Sequence, residues 1–160
     1  MLELAARNTV IRQESWAQLW RDAAPLAEAH YLEVDGGVEP RRKMKVDTEQ
    51  MALADLSGHL KIWTARNSGG LLGYILWTVG YDPESKGLLV AQMGPWFVLE
   101  GHAGIGARLF DVSLAGLKAL GVQCCYPHHR LQGRGSRLGH FFSARGAVEI
   151  QHTYSLWIGE

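Results

Sequence analysis

Cysteine is nearly absent from this chain: there are two, Cys124 and Cys125, side by side in an apolar run. Successive strand side chains point to opposite faces, so the pair cannot build a disulfide framework, and a reducing, cytoplasmic location is expected. Net charge is lacking as well, because 16 lysines and arginines balance 16 aspartates and glutamates. No global field then draws the protein to nucleic acid or to a membrane surface, and any charged ligand has to be held locally. No apolar run approaches membrane-spanning length, and MLELAARNTVIRQ carries scattered charges where a signal peptide would have an apolar stretch. The protein is expected to stay where it is made.

Metal-ligand spacing is missing too. Cys124, Cys125, His128 and His129 lie close together, but without a Cys-x-x-Cys pattern and with Pro127 between them. No metal is expected, and the cysteines read as small core residues. The basic loop HHRLQGRGSR has neither a recognition-helix motif nor an alternation of aromatic and basic residues, so no nucleic-acid partner is expected.

What the chain does have is 160 residues, 47% of them hydrophobic, a size that suits a single domain over residues 1–160. Residues 15–34 place Trp16, Leu19, Trp20, Ala23, Leu26, Ala27, Tyr31 and Val34 at helical spacing, with Ser15 as cap and Pro25 as a point of kinking. DGGVEPRRKMKVD reads as a loop, and Asp47 opens a second, short helix. From Leu60 the pattern becomes that of strands. KIWTARN and LLGYILWTVGYD form a hairpin about a glycine turn, and LLVAQMGPWFVLE forms a third long run. Its Gly94-Pro95 pair removes a ladder donor in mid-strand and predicts a bulge or splay. After Gly101-His102-Ala103-Gly104-Ile105-Gly106 comes a helical stripe of Leu109, Val112, Leu114, Leu117 and Leu120, closed by Gly121. VQCCYP reads as a short buried strand, RLGHFFSARG as a short helix and VEIQHTYSLWIG as a final strand. Helices, an antiparallel meander, a helical crossover and late strands imply an α+β fold with a mixed sheet covered on both faces.

The glycine loop carries the chemistry. Glycines allow positive φ and close backbone approach, and the first N–H groups of the following helix lack internal partners, which suits a pyrophosphate. No Lys-Ser or Lys-Thr follows, which excludes a P-loop, and the glycines are too closely spaced for a dinucleotide fingerprint.

Gly104-Ile105-Gly106 matches the second half of Gln/Arg-x-x-Gly-x-Gly/Ala, and with GGLLGYILWTVG, LKALGV and FFSARGAVEIQHTYSLWI the chain resembles the GNAT superfamily of acyl-CoA-dependent N-acyltransferases. The helix bearing His30 and Glu33 is also similar to that of small acetyltransferase-like proteins of bacteriophages. The resemblance implies a mostly antiparallel mixed sheet with helices on both faces and a splay between the fourth and fifth strands. It implies acetyl-CoA as co-substrate, with Phe97, Val98 and Leu99 along the acyl-carrying arm. Gly101, His102, Ala103, Gly104, Ile105, Gly106 and Ala107 would lie at the pyrophosphate, and Arg108, with Arg130, Arg134 and Arg137, would reach phosphates. The sequence departs from the family at Gly101, which stands for the motif's Gln or Arg, and at Phe142, which stands for its proton-donating tyrosine. Tyr126, Tyr154 or a water is then expected to donate that proton, or the thiolate leaves unassisted, and Glu33 and Glu100 are the candidate bases. The implied reaction is direct attack by a primary amine of a small molecule or peptide on the acyl group, by a monomer or homodimer. The alternative is a catalytically weak or inactive interaction module on the same fold.

Overall fold

The computed structural model describes residues 8–34, 45–102, 104–129 and 138–151, with the side chains of residues 28, 29 and 32–34 outside the description. The chain divides into two compact units, Met1–Tyr126 and Pro127–Glu160.

Among the described residues, the first unit holds a five-stranded sheet in the order β1-β2-β3-β4-β5, formed by Val10–Glu14, Leu60–Asn67, Gly70–Tyr81, Leu89–Val98 and Cys124–Tyr126. The first four strands pair antiparallel, and β5 joins β4 in parallel. Helices α1 (Trp16–Val34) and α2 (Thr48–Leu56) precede β2, and α3 (Ile105–Ala119) makes the crossover from β4 to β5. The central strand β3 is buried from Leu71 through Trp77, as a strand covered on both faces must be.

Side-chain alternation divides the core. Ile62, Tyr74, Leu76 and Phe97 face α1 and join Trp16, Leu19 and Ala23 in one cluster. Trp63, Trp77 and Trp96 turn to the other face, where α3 lies. There the Trp77 indole N–H donates to Ser113 Oγ at 3.0 Å, Trp96 stacks on Phe110 with centroids 5.3 Å apart, and Gly116 sits directly against the Trp63 ring.

The caps were legible. Ser15 and Gln18 form a reciprocal capping box at α1, with Ser15 N–H donating to Gln18 Oε1 at 2.9 Å and Gln18 N–H to Ser15 Oγ at 3.3 Å. Asp47 accepts from the Gln50 N–H at 2.9 Å and caps α2. Pro25 lies inside α1, which continues through it. At the end of α3, Gly121 takes φ 88°, its N–H donates to the Lys118 carbonyl, and Val122 N–H donates to Leu117, the Schellman pattern.

Strand β1 was not anticipated. VIRQE shows no clean alternation, and it is stabilised by pairing with β2 and by one ion cluster. Arg66 of β2 grips Glu14 with two prongs, Nε to Oε1 at 2.8 Å and Nη2 to Oε2 at 2.9 Å, while Nη1 reaches Asp22 of α1 at 2.6 Å. Burial opposes ionisation of Glu14, but hydrogen bonds from Arg66 and Arg12 outweigh it and hold the carboxyl below its ordinary value.

In the second unit, α4 (Leu138–Ser143) is a short helix, as expected. Phe142 is buried, with its ring against Phe141 and His129, and the Arg145 guanidinium lies over Phe141 at 3.6 Å. The strand expected from Val148 is absent over residues 148–151. Val148 and Ile150 are exposed there, with no ladder partner among the described residues to make them a strand. The rest of that segment, Tyr154 included, lies outside the described residues, as do Arg130, Arg134 and Arg137. Cys124 and Cys125 are half-buried rather than core.

Two outcomes follow from this packing. Gly116→Ala improves helix propensity by about 1 kcal/mol, but drives a methyl into the buried Trp63 ring, which costs about 1–3 kcal/mol. Urea unfolding should therefore show a net loss. Arg66→Ala removes two of the bonds to buried Glu14 and leaves it the one from Arg12, so the cost should be at the low end of the range for a broken buried pair, about 3 kcal/mol. Because the folded pKa of Glu14 is depressed, its contribution is complete above the ordinary value of 4.5 and is lost as pH falls through the folded value. The gap in stability between wild type and Arg66→Ala should accordingly shrink on acidification.

Candidate active site

The site begins at the middle of β4. Ile75 pairs with Trp96 and Trp77 with Met93, so Gly94 and Pro95 together oppose the single residue Leu76. This is the expected bulge. It accommodates a proline with no N–H to donate, and it bends the strand. Below it, β4 is paired on both edges, with β3 and, over Val90–Gln92, with β5. Above it, from Trp96 to Val98, the outer edge has no strand partner among the described residues. That is the splay between the fourth and fifth strands.

The backbone on this stretch is sorted by its hydrogen bonds. Leu99 N–H donates to the Leu72 carbonyl at 2.8 Å and so is turned toward β3. By the alternation of an antiparallel ladder, Phe97 faces β3 as well, while Val98 turns its N–H and C=O to the open edge. The amide offered to a ligand there is that of Val98. Phe97 and Leu99 contribute side chains, Phe97 buried and Leu99 half-buried.

Beyond Leu99 the chain turns through exposed Glu100 and Gly101, which takes φ 83°. Helix α3 starts from Gly104, whose φ of 82° is strained for residues with a side chain and which supplies no capping group to the helix. Ile105 N–H bonds the His102 carbonyl at 3.3 Å and Arg108 N–H bonds Gly104 at 3.2 Å. Between them, Gly106 and Ala107 occupy the positions whose N–H groups have no intrahelical acceptor. A Cβ built at Gly101 or Gly104 meets no atom within 4 Å, so the turn borders open space. Gly106 packs over the Trp96 ring and Val98, at 3.5 and 3.6 Å from the position a Cβ would take.

The other expected residues are spread out. Arg108 is exposed, and its guanidinium reaches the Thr9 carbonyl at 3.4 Å. Tyr126 ends β5 opposite Gln92, below the bulge. Its pKa is raised by a hydrogen bond with Cys124, by that group's charge and by burial. Burial, with Cys124 beside it, pushes the Cys125 thiol up to about 11, which leaves it a poor nucleophile. Glu33 belongs to the last turn of α1, but its side chain lies outside the described residues, as does Ala103. No group of three or more His, Cys, Asp or Glu converges among the described residues, and no described helix is long and apolar enough to cross a membrane.

Sequence reasoning missed one pair beside the bulge. His30 Nδ1 lies 2.7 Å from the Tyr74 hydroxyl, and the imidazole stacks on Phe97 with centroids 4.9 Å apart. Helical spacing signalled only that His30 falls near the apolar face of α1. Its meeting with Tyr74 depends on the docking of α1 on the sheet.

Neither a family model nor a curated protein matches the sequence. Solved structures do match the fold. A ribosomal-protein-alanine N-acetyltransferase from Brucella melitensis biovar Abortus 2308 superposes with a TM-score of 0.70 at 17% identity, over 95% of this chain and 99% of that one. An aminoglycoside acetyltransferase from an uncultured soil metagenomic sample gives 0.72 at 13% identity, over 94% and 99%. Another soil metagenomic aminoglycoside acetyltransferase, in complex with trehalose, gives 0.68 at 13% identity, over 96% and 98%. With its antiparallel meander, its parallel β4–β5 junction and its splay beside a glycine-started helix, the chain has the fold of the GNAT acetyltransferases.

Proposed function

We propose that this protein is an N-acyltransferase that moves an acetyl group from acetyl-CoA to a primary amine by direct attack, as a single catalytic domain over residues 1–160. The observation that carries the reading is the junction of β4 and α3, where an open strand edge runs into a glycine turn and an uncapped helix start. Coenzyme A is an extended chain of amides ending in a pyrophosphate. Val98, on the open edge of β4, offers it strand-type hydrogen bonds. The N–H groups of Gly106 and Ala107, at the positive end of the α3 dipole, suit the pyrophosphate. The cradle is open where Gly101 and Gly104 lack side chains, so the residues present fit the ligand.

When bound, the acetyl thioester supplies an activated acyl carbon. The chain's part is to fix it against the acceptor and exclude competing geometries. Glu33 on α1 and Glu100 at the pyrophosphate end of β4 are the carboxylates to test as proton acceptors, and Tyr126 is the hydroxyl to test as proton donor to the leaving sulfur. The Glu→Gln and Tyr→Phe changes separate these roles from packing.

Calorimetric titration with acetyl-CoA should show micromolar binding, on the order of −8 kcal/mol. Gly106→Asp, which sets a carboxylate beside the phosphate donors, should weaken it more than tenfold. Gly106→Ala should change it by less than about threefold, because its methyl makes ordinary contacts with Trp96 and Val98. Absence of heat from the wild-type protein at millimolar ligand would overturn the reading in favour of an interaction module on this fold.

Thiol release from acetyl-CoA should then appear with at least one amine among spermidine, kanamycin and an alanine-terminated peptide. The last two follow the acceptors named for the structural neighbours. If all three stay at the rate of hydrolysis while acetyl-CoA binds, transfer to these amine classes is wrong.

A further inference from the structure

One row of side chains interrupts the buried faces of the sheet just below the bulge. Leu60, Thr78, Gln92 and Tyr126 are successive cross-strand partners on β2, β3, β4 and β5, and paired residues share a face. Thr78 lies two positions along β3 from Leu76, which packs in the α1 cluster, so the row is on the α1 face. Leu60 is covered at 5% exposure, but Thr78 and Gln92 are exposed, although β3 and β4 are paired on both edges there. The helices of this face therefore leave the sheet open at this point. On the opposite face, which carries α3, the neighbouring Trp77, Ala91 and Met93 are buried.

The row lies where the proposed coenzyme would end. With its pyrophosphate at the glycine turn and its amides along the open edge of β4, the acyl-carrying arm runs from Val98 back toward Pro95, about 10 Å at roughly 3.3 Å per residue. Its thioester then reaches the level of the bulge, where β5 parts from β4. Gln92 stands two residues before Gly94, and Tyr126 ends β5 beside it. The polar groups of the row are neutral: a hydroxyl, a carboxamide and a phenol. The side chains of Thr78 and Gln92 have no hydrogen-bond partner among the described residues. Tyr126 is held by a hydrogen bond with Cys124 and feels the charge of Asp82, whose Oδ1 accepts the Glu84 N–H at 2.8 Å.

We propose that Gln92, with Thr78 beside it, binds the acceptor and selects amines that carry a neighbouring hydroxyl or amide. This rests on the acyltransferase reading. A carboxamide both donates and accepts, so Gln92 suits a hydroxyl or a peptide group that flanks the reactive nitrogen. Thr78, on the adjacent strand about 4.8 Å away, extends the same surface. Neither side chain is charged, so a bare polycation gains no Coulombic attraction from them. In the transfer, the acceptor nitrogen bonds to the acyl carbon, the carbon–sulfur bond breaks, and the proton lost from nitrogen ends on the thiolate. Gln92 neither takes nor gives that proton. It holds the amine against the thioester, on the face of the sheet away from α3.

The test uses the full chain, with kanamycin, an alanine-terminated peptide and spermidine as acceptors and thiol release as readout. The wild type should use kanamycin or the peptide at a lower KM than spermidine. Gln92→Ala should raise that KM about tenfold, the worth of one hydrogen bond, while kcat and the calorimetric affinity for acetyl-CoA change by less than about threefold. Thr78→Val should raise it by a smaller factor. Gln92→Glu, which sets a carboxylate in the row, should lower the KM of spermidine about tenfold and make it salt-dependent. Both positions are exposed, so all three variants should keep the melting temperature of the wild type. Three results would overturn the proposal: an unchanged KM in Gln92→Ala, an equal loss of acceptor and acetyl-CoA affinity in that variant, or a wild type that prefers spermidine or uses neither of the other amines. Failure of the wild type to bind acetyl-CoA would instead overturn the acyltransferase reading itself.

Discussion

Proline 95 is the constraint on which the rest of this structure turns. A residue without an N–H cannot complete a ladder, and the chain meets that condition with a bulge in which Gly94 and Pro95 share one partner, Leu76. Below the bulge β4 is an interior strand, paired to β3 and β5. Above it, β4 pairs with β3 alone among the described residues, and the Val98 amide faces outward. An edge of this kind is a hazard in an ordinary sheet. Here it lies beside the start of α3, where further backbone donors converge.

The two faces of the sheet divide the labour. The α3 face is rigidly packed. Trp63, Trp77 and Trp96 form a floor against which Gly116, Ser113, Phe110 and Gly106 are fitted, so the helix start is held over the end of β4 by contacts along the helix. The α1 face sets a position of another kind. The Glu14–Arg66–Asp22 cluster joins β1, β2 and α1 near the helix's first turns, and the Asp55 carboxylate accepts the Trp16 N–H at 2.8 Å and ties α1 to α2. With its first half anchored in this way, α1 runs across the sheet and brings His30 over Tyr74 and Phe97. Breaking the cluster would loosen the whole approach of that helix, although none of its charges lies at the bulge.

Much of this was legible in the residues. Ser15 and Asp47 mark helix starts through short-range hydrogen bonds, Gly121 marks a helix end through its positive φ, and Gly94-Pro95 marks a bulge through a missing donor. Each is local physics acting over a few residues. Strand β1 was not legible, because an edge strand without alternation owes its existence to a partner some fifty positions away in sequence, joined by the Glu14–Arg66 pair. The roles of Leu99 and Val98 were not separable either. Which amide points outward is set by the register with β3, and register is a property of two strands.

By itself, the sequence determined the order of elements, the caps, the place of the bulge and the glycine turn that opens α3, because propensity, backbone freedom and missing donors are carried by single residues and their near neighbours. Only the tertiary structure decided which backbone groups face the open edge, that Arg108 reaches toward Thr9, and that His30 meets Tyr74. Those depend on how strands are registered and how a helix lies on a sheet, and such distances are summed over the whole packed core.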